Sequence, residues 1–168
     1  CAAQLALWDG AQSDDRLLPI IERLDQAGLA AIDILDGELC ERMAETGIDP
    51  WRRLRIAAAR ARATPLNVWV SARTGLGQRV LSPDLLDLGI AALIRAGARR
   101  ITCYDAVNDA TAISTAIQSA RRAGVDACAA LIHADSPHYD ESYFASRAQS
   151  LDRAGVKAIC LVDPVGCL

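Results

Sequence analysis

Polar residues with the capacity for chemistry follow the short apolar runs of this 168-residue chain. Asp9 follows the first run, Arg73 lies in a glycine-containing loop, and Asp105 ends a later run with Asn108 just behind it. Carboxylates together with an imidazole such as His133 would suit a divalent metal, and an arginine would suit a substrate carboxylate. The sequence therefore predicts a polar site wherever the ends of these runs meet.

Each of these residues also has an ordinary structural role. An aspartate behind a strand caps the helix that follows, which is the commoner role for Asp109. His133 suits a packed interior as well as it suits a site, and His138 is expected in a surface loop. Arg73 is equally compatible with a solvated side chain, so the chemistry of the site stays open at this point.

Two kinds of covalent catalysis find no support in the residues. The chain has no G-x-S-x-G segment, which is the nucleophile turn of many serine hydrolases. Its single lysine, Lys157, stands at the start of an apolar run instead of at its end. A Schiff base at the carboxyl end of a strand is therefore not expected.

A repeated pattern predicts the elements that must position these residues. Four segments end like a helix in a glycine and then enter a short apolar run, at Gly28, Gly97, Gly124 and Gly155. Ser82-Pro83, Asp49-Pro50 and Asp140 have the chemistry of helix starts. Strands are predicted at about 4–8, 30–35, 66–71, 100–104, 126–132 and 157–162, and helices near 15–27, 50–62, 83–96, 109–123 and 140–154.

Alternating strands and helices predict an α/β fold with a parallel sheet, because each unit returns the chain to the same edge. No G-x-G-x-x-G follows the first strand, so a dinucleotide-binding sheet is disfavoured. The alternative is a (β/α)8 TIM barrel, which usually takes about 250 residues. Residues 1–168 are then expected to cover about the first six βα units of a longer chain.

Composition limits the partners. A net charge of −3 leaves no basic excess for nucleic acid. No apolar stretch approaches the roughly 20 residues that span a bilayer, and no signal peptide is visible, so a cytoplasmic protein is expected. Cys103, Cys128 and Cys160 lie inside apolar runs, where a free cysteine is expected to behave as a small core residue.

Several motifs occur together and in order along the whole chain. Leu7–Ser13 reads L-W-D-G-A-Q-S, Asp49–Arg55 reads D-P-W-R-R-L-R, Tyr104–Asp109 reads Y-D-A-V-N-D and Ala158–Asp163 reads A-I-C-L-V-D. They resemble motifs of the carboxyltransferase domains of pyruvate carboxylase, transcarboxylase and the oxaloacetate decarboxylase alpha subunit. These domains share a superfamily with HMG-CoA lyase, and the resemblance implies a (β/α)8 barrel.

The resemblance also implies roles for particular residues. Asp9 matches a ligand of a divalent metal such as Zn, Mn or Co, and Gln12 matches a glutamine that contacts substrate. Four positions depart from the pattern: Trp8 and Ser71 stand where the family has arginines, Gln78 stands where it has a tyrosine, and Val162 stands where it has a carbamylated lysine that bridges to the metal. An H-x-H metal pair would lie beyond Leu168.

Two functions remain open on these residues. The first is an altered carboxyltransferase, decarboxylase or metal-dependent lyase acting on a small keto acid, with Gln12, Arg73, Asp105 and Asn108 in contact with substrate and Asp9 on the metal. The second is a catalytically silent scaffold in a biotin-dependent carboxylase assembly. Its expected partners are a biotin carboxyl carrier or other carboxylase subunits, in a homo- or hetero-oligomer. An unrelated doubly wound binding protein is a third, less favoured possibility.

Overall fold

The computed structural model describes residues 14–166. In this part of the chain, one or two helices lie between consecutive strands of one parallel sheet. In chain order the elements are α1 (Asp14–Asp25), β1 (Ile32–Leu35), α2 (Gly37–Glu45), α3 (Pro50–Arg60), β2 (Leu66–Ser71), α4 (Pro83–Ala96), β3 (Arg100–Tyr104), α5 (Ala110–Arg122), β4 (Asp126–Ile132), α6 (Glu141–Arg153) and β5 (Ile159–Val162).

The sheet has five strands in the order β1-β2-β3-β4-β5, and every neighbouring pair is parallel. Sequential order with parallel pairing requires a helical crossover between each two strands, and all carboxyl ends then lie at one edge. This is the arrangement of consecutive units of a (β/α)8 barrel, which confirms the predicted fold class. The first predicted strand, residues 4–8, lies outside the described residues.

Helix starts follow the predicted capping chemistry. Ser82, Asp49 and Asp140 each accept a hydrogen bond from a backbone N–H of the first turn, and a proline begins the helix after Ser82 and after Asp49. The four repeated glycines all have positive φ. Gly97 also needs its missing side chain, because a Cβ there would clash with Cβ of Ala58 on α3.

The two faces of the sheet carry different residues. Val68, Val70 and Ile101 are buried against the helices in the hydrophobic core. Successive side chains of a strand point to opposite faces, so Asn67 and Trp69 point to the other face, the concave interior of a barrel. The interior face carries the polar and aromatic residues of the sheet.

Two expectations from the sequence need correction. Residues 37–45 form helix α2, which the apolar periodicity does not predict as a helix. Cys160 is exposed and is not a core residue, unlike Cys103 and Cys128. It lies on β5, the edge strand of the described sheet, where one side has no neighbouring strand in the described part of the chain.

Candidate active site

A cavity of about 390 Å³ lies on the interior face at the carboxyl ends of the strands. We call it the strand-end cavity. Strand β1 and the start of α2 supply carboxylates, β2 and β3 supply aromatic rings, and β4 and β5 supply aliphatic side chains. The described lining residues are Asp33, Asp36, Glu38, Trp69, Tyr104, Ile132 and Val162.

A ladder of polar side chains crosses three strands beneath the cavity. Asn67 donates from Nδ2 to Oδ1 of Asp33 at 2.6 Å, and Thr102 donates from Oγ1 to Oδ1 of Asn67 at 3.0 Å. Asn67 and Thr102 are buried. A buried amide with both ends engaged has a fixed orientation, so the ladder also fixes the Asp33 carboxylate at the cavity wall.

The charged side chains that line the strand-end cavity, among the residues described, are all acidic. Asp36 begins α2 as its N-cap and accepts from the backbone N–H of Leu39 at 2.8 Å. Burial raises the pKa of the Tyr104 hydroxyl, and the negative charges of Asp36 and Glu38 raise it further. The rings of Tyr104 and Trp69 lie 6.2 Å apart at the cavity wall. The cavity thus combines an aromatic wall with a negative potential.

Arg73 joins the loop after β2 to the end of β3. Its Nε donates to Oδ2 of Asp105 at 2.9 Å, and its Nη2 donates to Oδ2 of Asp109 at 2.5 Å. Asp105 is only 2% exposed, and its other oxygen accepts from the backbone N–H groups of Val107 and Asp109. A guanidinium paired with two carboxylates of its own chain has little charge left to attract a substrate anion.

Asn108 ties the loop after β3 to the end of β4. It is fully buried with a φ of 55°, and its Nδ2 donates to the carbonyl oxygen of Ile132 at 2.8 Å. Its Oδ1 accepts from the N–H of the same residue at 2.7 Å. The amide side chain therefore mimics a strand partner for Ile132, and it holds one wall of the strand-end cavity in place.

His133 directly follows β4 and is half-buried. Its backbone N–H donates to the carbonyl oxygen of Val162 at 2.7 Å, and its ring packs 5.9 Å from that of Phe144. Nδ1 is buried without a hydrogen-bond partner within residues 14–166. His138 is exposed in the following loop, as expected.

The structure groups three of the predicted substrate-contacting residues behind β2 and β3: Arg73 pairs with Asp105, and the backbone N–H of Asn108 donates to the carbonyl oxygen of Asp105 at 3.0 Å. None of the three is among the described lining residues of the strand-end cavity. Their contact with a substrate stays a prediction. Asp9 and Gln12, the predicted metal ligand and glutamine contact, lie outside the described residues. Sequence reasoning missed Asp33, Trp69 and Tyr104 as lining residues. The period-two alternation along each strand is the signal that places them on the interior face.

Of the positions that the resemblance assigns to the metal site, only Val162 lies within the described part of the chain. Within residues 14–166 no three His, Cys, Asp or Glu side chains are grouped as metal ligands. Val162, at the position of the implied carbamylated lysine, lines the cavity with a side chain that has no donor atom. Lys157 pairs with Asp126, the first residue of β4, at 3.0 Å, so it lies at the opposite edge of the sheet.

The fold and the position of the site define the class: a portion of an α/β barrel with the architecture of a carboxyltransferase domain. The chain is 18% identical to the carboxyl transferase domain of Rhizobium etli pyruvate carboxylase with pyruvate, with a TM-score of 0.91 over 98% of this chain and 29% of that one. A second structure of that domain, with 3-hydroxypyruvate, gives a TM-score of 0.89 at 16% identity over 95% of this chain and 28% of that one.

Relatives in sequence are carboxylase subunits. The chain is 27% identical over 99% of its length to a pyruvate carboxylase subunit of Methanocaldococcus jannaschii, and 26% identical over 98% to the 2-oxoglutarate carboxylase large subunit of Hydrogenobacter thermophilus. It spans 30% and 25% of those proteins. No established family profile matches the chain. The resemblance to carboxyltransferase domains that the sequence motifs indicated is confirmed.

Within residues 14–166, no helix has both the length and the apolar character needed to cross a membrane.

Proposed function

We propose that the chain forms part of a carboxyltransferase-type barrel in a biotin-dependent carboxylase assembly, and that its site is degenerate. In this proposal the barrel does not transfer a carboxyl group to a 2-oxo acid through a carbamylated lysine. It serves the assembly by binding carboxylase partners. The relatives support the proposed role in an assembly, because they are named as subunits of pyruvate and 2-oxoglutarate carboxylases.

The observation that carries the proposal is the lining of the strand-end cavity. Val162 offers no amine that carbon dioxide could convert to a carbamate, although its side chain faces the cavity. The only lysine, Lys157, lies at the other edge of the sheet and is paired with Asp126. Within these 168 residues, the carbamate chemistry that the resemblance implies therefore has no lysine at the expected position.

Charge supports the same conclusion. A 2-oxo acid brings a carboxylate, and the carboxylates of Asp33, Asp36 and Glu38 would repel it. At the rim Arg73 is already paired with Asp105 and Asp109. Each charge-assisted hydrogen bond lost from an anionic substrate removes about 1.5–3 kcal/mol of interaction.

The test uses the full natural chain that contains these residues. It is mixed with a biotin carboxylase, a biotinylated carrier protein, ATP, bicarbonate and pyruvate or 2-oxoglutarate. We expect a stable complex by gel filtration and no formation of carboxylated product above the rate without the chain. Product formation that depends on the chain would contradict the degenerate site.

The control separates a degenerate site from a failed assembly. The same mixture with an active carboxyltransferase subunit in place of the chain must form product. If the chain then forms neither product nor a complex with the carrier or the carboxylase, the proposed role in an assembly is wrong.

A further inference from the structure

The carboxylates of the strand-end cavity have no basic partner in the described part of the chain. Within residues 14–166, Asp33, Asp36 and Glu38 form no ion pair. Asp33 accepts from the neutral amide of Asn67, and Asp36 accepts from a backbone N–H. After burial, the charges of Asp36 and Glu38 also raise the pKa of the Tyr104 hydroxyl, so their field acts at the aromatic wall.

The other residues of this sequence bring no basic side chain to that wall. Residues 1–13 and 167–168 contain no lysine, arginine or histidine, and their one charged side chain is that of Asp9. Arg73, in the loop after β2, is already paired with Asp105 and Asp109. A ligand with a positive charge would therefore be the counter-ion that the cavity lining lacks.

The aromatic wall indicates the same kind of ligand independently of the carboxylates. Trp69 and Tyr104 both line the cavity, with their ring centroids 6.2 Å apart and their planes inclined by 56°. Two inclined rings on one wall resemble two sides of an aromatic cage, and the negative face of such a ring attracts an alkylated ammonium. The cation–π contact within residues 14–166 joins Arg147 to Tyr143, so no described arginine occupies either ring of the cavity.

An organic cation fits this lining better than a bare metal ion does. A hard divalent ion needs several oxygen ligands at about 2.0–2.6 Å. Within residues 14–166, no group of three His, Cys, Asp or Glu side chains could hold one. The cavity, of about 390 Å³, has room for a ligand of several heavy atoms, and Ile132 and Val162 offer aliphatic contacts for alkyl groups.

We propose that the strand-end cavity binds a small alkylated ammonium ion, with its alkyl groups against the rings of Trp69 and Tyr104. Cation–π attraction and burial of the alkyl groups supply the affinity. The unpaired carboxylates of Asp36 and Glu38 supply the selectivity for positive charge. The inference rests on the proposed function, because it assigns a ligand class to the same cavity in place of a 2-oxo acid.

The probe is choline, and the comparison is 3,3-dimethylbutan-1-ol, which has nearly the same shape and no charge. Calorimetric titration of the full natural chain is expected to show saturable binding of choline with one site per chain. The neutral alcohol is expected to bind about ten-fold more weakly, because it lacks the cation–π attraction. Equal binding of both, or no binding of choline, would overturn the proposal. Displacement of choline by equimolar Mg²⁺ would show a metal site instead and would also overturn it.

Glu38 and Glu141 offer a matched pair of charge variants. Each is exposed in the first turn of its helix, α2 or α6, and of the two Glu38 alone lines the cavity. Glu38→Gln is expected to weaken choline binding several-fold, whereas Glu141→Gln is expected to leave it unchanged. Since both variants remove one negative charge from a helix start, an equal effect of the two would contradict binding at this wall.

Trp69 tests the aromatic wall. Trp69→Leu is expected to weaken choline binding about ten-fold, and Trp69→Phe less, because phenylalanine keeps a ring face. Equal losses in the two variants would contradict a cation–π contact, and the Glu38 pair supplies the test if Trp69→Leu fails to fold.

A titration with pyruvate in the same series separates this inference from the proposed function. If neither choline nor pyruvate binds, the ammonium site is wrong and the proposed degenerate site stands. If pyruvate binds saturably below millimolar concentration, the proposed function is wrong.

Discussion

Asn108 shows how a single side chain shapes the strand-end cavity. Among the described residues other than glycine, it alone has a positive φ. Its amide makes two hydrogen bonds to the backbone of Ile132. Asparagine tolerates the left-handed conformation better than most residues, and its side chain supplies both a donor and an acceptor.

Replacing Asn108 separates these two contributions. Asn108→Gly is expected to lower the free energy of unfolding by about 2–4 kcal/mol, because both partner groups of Ile132 lose their hydrogen bonds. Asn108→Ala should cost about 1 kcal/mol more, because alanine is strained at positive φ. Urea denaturation measures both values. Equal stability of the Asn108→Ala variant and the natural chain would contradict the role of the Asn108 side chain in holding the backbone of Ile132.

Lys157 is expected to matter little. Its ion pair with Asp126 joins two side chains that are 59% and 45% exposed. Exposed pairs contribute at most about 1 kcal/mol. Lys157→Ala should therefore shift the urea midpoint only slightly and leave the proposed assembly with carboxylase partners unchanged. A large loss of partner binding would place Lys157 in an interface and contradict its peripheral role.

The grouping of Arg73, Asp105 and Asn108 was predictable from single residues, because each follows an apolar run. Their contact with a substrate stays a prediction, and none of them is among the described lining residues of the strand-end cavity. The sequence did not predict that Arg73 is paired with two carboxylates, because that pairing depends on how far one loop reaches towards the next strand. Asp33 was missed because it is the one polar residue inside an apolar run and does not follow the end of that run.

At the scale of elements, Gly97 fixes how α4 meets α3. Gly97→Ala is expected to be more destabilising than Gly124→Ala, although both glycines have positive φ. An ideal Cβ at Gly124 meets nothing within 4 Å, whereas at Gly97 it would clash with Cβ of Ala58. Gly124→Ala should cost about 1–2 kcal/mol from backbone strain, and Gly97→Ala about 1–3 kcal/mol more from the clash. Thermal unfolding of both variants checks the difference, and equal costs would contradict the helix contact.

Asp25 links the end of α1 to the loop before β2, and this link should depend on pH. Its carboxylate accepts from the backbone N–H groups of Thr64, Arg62 and Ala63. The hydrogen bond from the N–H of Thr64 is the main cause that lowers the pKa of Asp25. A carboxyl with a lowered folded-state pKa stabilises the fold above its unfolded value of about 3.9. That contribution is lost as the pH falls through the folded-state pKa.

Asp25→Asn is therefore expected to lower the unfolding midpoint at neutral pH. The difference from the natural chain should shrink in acid, because the natural residue then also loses its charge. Thermal melts at pH 7 and below pH 4 make the comparison. A difference that stays constant over this range would contradict the role of the carboxylate charge.

The elements themselves were largely predictable. The strands β2, β3 and β4 match their predicted bounds, because apolar runs between helix caps and glycines define them well. Helix α2 was missed because it is only nine residues long and begins with a glycine. Asp36 as a cap, followed by the buried residues Leu39, Cys40 and Met43, is the signal that could have predicted it.

For the whole molecule, the fold agrees with that of a carboxyltransferase domain, whereas the residues of the strand-end cavity differ from the pattern that the resemblance implies. The core, the helix caps and the parallel sheet keep the architecture of a carboxyltransferase domain, with a TM-score of 0.91 at 18% identity. The strand-end cavity has valine at the position of the implied carbamate and acidic side chains along its wall. Since apolar patterning determines the fold and a few polar residues determine the chemistry, one can persist while the other changes.

The measurement that tests the central claim most directly is a calorimetric titration of the full natural chain with pyruvate. We expect no saturable binding up to millimolar pyruvate, because the cavity carries carboxylates and Arg73 is already paired. The variant Ser71→Arg, which restores an arginine at the position implied by the resemblance, is expected to bind pyruvate more strongly than the natural chain. Saturable, sub-millimolar binding of pyruvate by the natural chain would contradict the proposal that the site is degenerate.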